Sequence, residues 1–233
     1  MNGFYLIASG KRYLEEALQT MKRLKSIMPD IPIALCTEQV ACDEADYLIP
    51  LENPFYNFFD KVRYYKKTPF DNTIFLDTDI YVAKDISNLF TLLERFEVAA
   101  PHAPIEIDEL VNLPLSFAEP NSGVIAFKNN RNVFNMFSIY EKHYAKALRY
   151  YRGEIPPDQP SFRYAIYKSN VNFTFLPHEY NCMVDYPCFL SGEVCILHGH
   201  YKNDIMQIKE KKINQYTGMR IYDPRTGIST YQE

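Results

Sequence analysis

The stretch "TIFLDTDIYV", residues 73–82, carries an apolar run into two aspartates one residue apart, Asp77 and Asp79, and then turns apolar again. An Asp-Asn pair at 71–72 is a turn signal in front of it, so residues 72–77 read as a buried strand ending on a carboxylate. Buried carboxylates without partners are costly, and these two require compensation from a metal, a substrate or a neighbouring lysine. Along a strand, residues i and i+2 share a face, so Asp77 and Asp79 can converge on one hard cation such as Mn2+ or Mg2+.

Outward towards the start, the pattern alternates. "GFYLIAS" (3–9) reads as a strand, and 11–28 as an amphipathic helix with Leu14, Ala17, Leu18, Met21, Leu24 and Ile27 on one face. A buried strand at 29–37 and a short one at 46–51 precede a helix around 58–67. After the aspartates, 86–96 reads as a helix that Asp85 or Ser87 can cap. This β-α-β-α-β order predicts an α/β fold with a mostly parallel central sheet flanked by helices. Ligands in such sheets bind beyond the carboxyl ends of the strands, and Asp77 falls at one.

The second half is less regular. It offers a strand at 121–129, a long helix at 131–151, a helix at 158–169 with Pro160 in its first turn, and short strands in "FTFLP" and "EVCILHGH". The polar tail from Asn203 reads as a helix with an irregular end. No repeat or linker interrupts the chain. The reading is one domain over 1–233 with two functional halves, 1–100 and 101–233.

Composition narrows the classes. A formal charge of −4 leaves no basic footprint, so nucleic acid is not an expected partner. No apolar run is long enough to cross a membrane, and the start lacks the features of a signal peptide. Five cysteines without a CxxC pair read as reduced residues, and a cytoplasmic location is expected. The 19 tyrosines and 16 phenylalanines include clusters such as "NPFYNFF" and "RYYRG" that suit sugar faces as well as ordinary packing.

With these elements in place, residues 60–90, "DKVRYYKKTPFDNTIFLDTDIYVAKDISNLF", resemble the central block of GT-A fold glycosyltransferases, nearest the glycogenin-like retaining family. "NSGVIAFKN", "PDQPSF", "FLPHEYN" and "ILHGHYK" resemble four later blocks of that family in the same order. The resemblance implies a nucleotide-sugar donor, UDP-linked by preference, a glycan or other hydroxyl acceptor, and a divalent metal, Mn2+ or Mg2+. It implies metal ligation by Asp77, Asp79 and His198, and donor binding by Ala8, Tyr13, Lys61, Asp77, Thr78, Asn121, Ser122 and Lys202. It also implies that Asp158 and Gln159 lie at the reacting carbon. The last block departs from the family, because Tyr201 and Asp204 stand where its glycine and lysine are usual. Lys202 is the nearest lysine, and His200 rivals His198 for the metal.

Other readings of the same residues remain open at this level. Asp158 also suits a general base or a helix N-cap. "IFLDTDIYV" loosely fits the nucleophile motif of haloacid-dehalogenase-type phosphatases, although that class opens its chain with the motif. A non-catalytic sugar-binding scaffold on a degenerate transferase fold is the third alternative.

Overall fold

The computed structural model describes residues 1–104, 112–151, 154–216 and 218–230, so the last two residues of "RYYRG" lie outside them. The first half runs β1 (Asn2–Ile7), α1 (Lys11–Ile27), β2 (Ile33–Thr37), β3 (Tyr47–Pro50), α2 (Phe58–Tyr64), β4 (Asn72–Leu76), β5 (Ile80–Val82), α3 (Asn88–Arg95) and β6 (Val98–Pro101). The second half adds β7 (Val124–Lys128), α4 (Arg131–Tyr150), α5 (Gln159–Lys168), β8 (Phe173–Leu176), β9 (Cys182–Met183), β10 (Cys188–Leu190), β11 (Ile196–His198), α6 (Asn203–Ile213), β12 (Arg220–Asp223) and β13 (Gly227–Thr230).

One sheet of order β3-β2-β1-β4-β7-β6-β8 organises the molecule. Its strands are parallel except β7, which runs antiparallel to both β4 and β6. Alternation along β1 explains the layers. Tyr5 and Ile7 face the core beneath α2, α4 and α5, with Tyr65, Phe137, Tyr140 and Phe162. Phe4, Leu6 and Ala8 face the opposite core beneath α1 and α3, with Met21, Leu24, Leu89 and Leu93.

Two smaller sheets, β5-β11-β9 and β10-β12-β13, flank the carboxyl edge. They enclose a third core of Tyr81, Cys182, Val184, Leu190, Val194, Leu197, Met206, Ile213 and Tyr222. The tail expected to be irregular after α6 is a β-hairpin, since Arg220–Asp223 pairs with Gly227–Thr230. Among the described residues, no helix is long and apolar enough to cross a membrane.

Candidate active site

The site forms where β4 ends. Strand polarity brings its parts together, because Leu76 at the end of β4 pairs with Val124 at the start of β7. Asn121, Ser122 and Gly123 therefore lie beside Asp77, whose N–H donates to the Gly123 carbonyl at 2.8 Å. The chain turns at Thr78 and Asp79 and returns as β5, which pairs antiparallel with β11 and sets Ile80 opposite His198. Asp77, Asp79 and His198 thereby each offer a ligand atom within 4.8 Å of the others. Two carboxylate oxygens and an imidazole nitrogen suit Mn2+ or Mg2+.

The orientation of His198 is fixed from behind. Its Nδ1 lies 2.9 Å from Asn181 Oδ1, an acceptor only, so Nδ1 carries the proton. Nε2 is thus free to face Asp79, whose Oδ1 lies 3.3 Å away. The ring also packs against Gly123. A Cβ there would approach His198 Cε1 well inside 3.0 Å and lie 2.9 Å from both His198 Nδ1 and Asn121 Oδ1. Burial opposes a charged His198, but Asp79 outweighs it and draws the imidazole pKa up. Burial likewise resists the ionised Asp79, yet the two histidines hold its pKa well below the carboxylate range.

Lys61, on the second turn of α2, is the buried cation of the site. Asn57 caps that helix by accepting from Phe59 N–H, which sets the direction of the turn. The Lys61 ammonium lies 3.1 Å from both Asp77 oxygens, 3.3 Å from Asp158 Oδ2 and 3.3 Å from Ser122 Oγ. Burial works against its charge, but Asp158 and Asp77 outweigh burial and hold its pKa well above the usual lysine value. Burial raises the pKa of Asp77, and Lys61 offsets this only in part because Asp79 and Asp158 add negative charge. One ammonium among three carboxylates leaves the site short of positive charge.

Asp158 holds the N-cap position of α5 but makes no capping bond. The capping reading is thereby corrected, since its Oδ2 accepts from the buried Tyr140 hydroxyl and from Lys61. The Asp158 backbone is helical rather than extended, and the Ser161 and Phe162 N–H groups donate to its carbonyl instead. Gln159 Oε1 accepts from Asn121 Nδ2 at 2.5 Å, and its Nε2 donates to Glu119 Oε1 at 3.2 Å. The structure therefore gathers two sets, Lys61 with Asp77, Ser122 and Asp158, and Asn121 with Gln159 and Glu119.

Lys61 and Asp77 border a cavity of about 710 Å³ whose wall also includes Ile7, Ser9, Tyr13, Thr78, Asp79, His198 and His200, a size typical of small-molecule sites. Asn121, Ser122, Asp158 and Gln159 are not among its described lining residues. Ala8 packs fully into the core while its neighbours Ile7 and Ser9 reach the cavity. Lys202 is exposed at the start of α6 and is not part of the cavity wall. His200 turns towards Glu16, whose Oε1 lies 3.1 Å from its Nδ1, and lies farther, at 3.5 Å, from Asp79 Oδ2. Tyr56 stands at the mouth with a left-handed backbone at φ 55°. The buried Asp60 carboxylate holds it there by accepting from the N–H groups of Phe55 and Tyr56.

Sequence reasoning assigned no role to Asn181, Tyr140, Glu16 or Asp60. Asn181 falls inside the quoted "FLPHEYN" stretch, and Asp60 opens the quoted 60–90 stretch. Tyr140 lies in the apolar stripe of α4 and reads as core.

The fold is that of the GT-A glycosyltransferases. The galactosyltransferase LgtC, solved with donor and acceptor sugar analogues, superposes with a TM-score of 0.59 at 10% identity, over 86% of this chain and 87% of that one. The glycosyltransferase GlyE of Streptococcus pneumoniae gives 0.59 at 15% identity, over 94% of this chain and 58% of that one. Mouse xyloside xylosyltransferase 1 gives 0.56 at 12% identity, over 86% and 98%. No protein-family model matches the sequence, and no curated protein sequence matches it.

Proposed function

We propose that this chain is a metal-dependent glycosyltransferase that moves a sugar from a nucleotide diphosphate donor to an acceptor hydroxyl. The observation that carries the reading is the convergence of Asp77, Asp79 and His198 at the carboxyl edge of a GT-A sheet, facing a cavity of substrate size. Mn2+ or Mg2+ held by these three would neutralise the charge that develops on the leaving diphosphate. The resemblance to the glycogenin-like family favours a UDP-linked donor and retention of configuration.

The protein's own groups act around that centre. Lys61 supplies a fixed positive charge between Asp77 and Asp158. Asn121 and Gln159, bonded to each other, present amides to the donor sugar. Asp158 Oδ2 already accepts from Tyr140 and Lys61, which suits a carboxylate stabilising positive charge at the anomeric carbon better than one collecting a proton. This fits retention. Tyr13 and Thr78 on the cavity wall complete the donor side, and Ser122 acts through its contact with Lys61. Lys202 is left a lesser part, reaching the diphosphate only if the loop before α6 moves.

Calorimetric titration of UDP tests the reading. Wild type should bind UDP with Mn2+ and lose binding in EDTA, and Asp79→Ala should abolish the metal-dependent part. Failure of both UDP and GDP to bind would leave the sugar-binding scaffold as the better reading.

A further inference from the structure

We propose that Asp185 and Tyr201 form the acceptor subsite, and that the acceptor presents uncharged sugar hydroxyls to it rather than an acidic group. The proposal rests on the transferase reading above and names the substrate class of its second half.

The placement follows from the small sheets. β9 runs parallel to β11 and delivers Met183 and then Asp185 to the cavity wall, while the turn after β11 delivers Tyr201. Met183 marks the position of this segment, because its Sδ lies 3.5 Å from Asn121 Nδ2, beside the amide pair with Gln159. Asp185 and Tyr201 come from the opposite half of the chain to Ile7, Ser9 and Tyr13, the residues of the first strand–helix turn that line the same cavity.

The pair is fixed. The Tyr201 hydroxyl donates to Asp185 Oδ1 at 2.6 Å, and the Lys209 ammonium lies 4.9 Å from the centre of the Tyr201 ring. Asp185 Oδ2 has no hydrogen bond or ion pair among the described residues. An exposed carboxylate oxygen on a cavity wall accepts O–H or N–H groups and repels anions. The other charged or chargeable groups on the wall include Asp60, Asp77, Asp79, Lys61, His198 and His200, with Lys61 held by Asp77 and Asp158, His198 by Asp79 and His200 by Glu16. The exposed Asp185 Oδ2 would repel a carboxylate or phosphate placed against it, so the acceptor group it meets is uncharged. Tyr201, with 40% of its surface exposed, and Ile155, with 54%, add the apolar surface on which a pyranose ring can lie.

Ligand-observed NMR on the full chain, loaded with UDP and Mn2+, tests this with the methyl glycosides of glucose, galactose and mannose and with the methyl uronides of glucose and galactose. At least one neutral glycoside should bind wild type and the uronides should not. Asp185→Asn, close in shape, should weaken the neutral glycoside about tenfold and narrow the gap to its uronide. Tyr201→Phe should weaken it less, because the ring remains. Thermal midpoints of the variants report folding, and UDP affinity in the same samples reports the donor site. Loss of metal-dependent UDP binding in wild type overturns the transferase reading itself. Intact UDP binding without neutral-glycoside binding, with equal uronide binding, or with an unchanged Asp185→Asn, overturns the acceptor assignment alone.

Discussion

Replacing Gly123 by alanine inserts one methyl group behind His198, the proposed metal ligand, and the packing there sets how far the ring must move. The new Cβ would lie 2.9 Å from His198 Nδ1 and closer still to Cε1, inside the 3.0 Å that Cβ atoms do not enter. Comfortable non-bonded separations begin at about 3.5 Å, so the imidazole must retreat by roughly half to one ångström. Metal coordination tolerates only about 0.2 Å. The retreat also strains the Asn181 bond that sets the tautomer. Disturbance behind a ligand typically costs 10–100-fold in metal affinity, which is about 1.4–2.8 kcal/mol. Mn2+ affinity measured by calorimetry in the presence of UDP should fall by that factor in Gly123→Ala. Overpacking alone costs about 1–3 kcal/mol of stability, so a control is needed. Gly3→Ala supplies it, since a Cβ there drives into the Phe70 ring, remote from the site. Both variants should lose thermal stability, and only Gly123→Ala should lose metal affinity. Equal metal affinity in the two variants would refute the assignment of His198 as a ligand braced by Gly123.

Three further outcomes are expected. Lys61→Met leaves Asp77 and Asp158 without their cation, at a cost of about 3–5 kcal/mol, or roughly 6–20 °C in Tm. Mn2+ should restore part of that loss by supplying charge to Asp77, and an identical loss with Mn2+ and with EDTA, read by thermal denaturation, counts against the shared site. Tyr140→Phe removes the hydroxyl that holds Asp158, so kcat for the donor should drop roughly tenfold while KM stays within about twofold. A change in KM alone would assign Tyr140 to packing. Glu179 is buried, and although burial resists its charge, the N–H groups of Gly192 and Ser191 hold its pKa below the usual glutamate value. Its folded pKa is depressed, so its contribution is full above the unfolded value of about 4.3 and is lost as pH falls through the folded one. Glu179→Gln should therefore be about 1.5–3 kcal/mol less stable at neutral pH, with the gap closing as pH falls through the depressed folded pKa in denaturant titrations.

The parts of this molecule legible in the sequence are those where one local signal decides. The apolar run into Asp77 defines β4, the 3.6-residue spacing defines α1 and α4, and the alternation of strands and helices gives the mostly parallel sheet. Strand direction leaves no local mark, so the antiparallel course of β7 was illegible, although it is what sets Asn121 and Ser122 beside Asp77. The strands β9, β10, β12 and β13 have two to four residues each, too few to show a period. Asp158 read equally well as a cap, a base or a sugar ligand, because its partners Lys61 and Tyr140 lie 97 and 18 positions away. Asp77, Asp79 and His198 were found together through the order of blocks, whereas Asn181, which aims the imidazole, gave no signal of its own.

The third core separates the two halves of the cavity in their tolerance to change. The edge that carries Asp77, Asn121 and Ser122 is continuous with the main sheet, and a poorly fitting side chain there disturbs the two large cores at once. Met183, Asp185 and Tyr201 hang instead on the small cluster around Cys182, Val184, Leu197 and Tyr222. A randomised library restricted to the segment 183–187 and position 201 would draw on a separate margin of stability. Such a library should yield folded variants with altered acceptor preference far more often than one of equal size at the ends of β4 and β7. The same division would let a lineage exchange acceptors while keeping its donor.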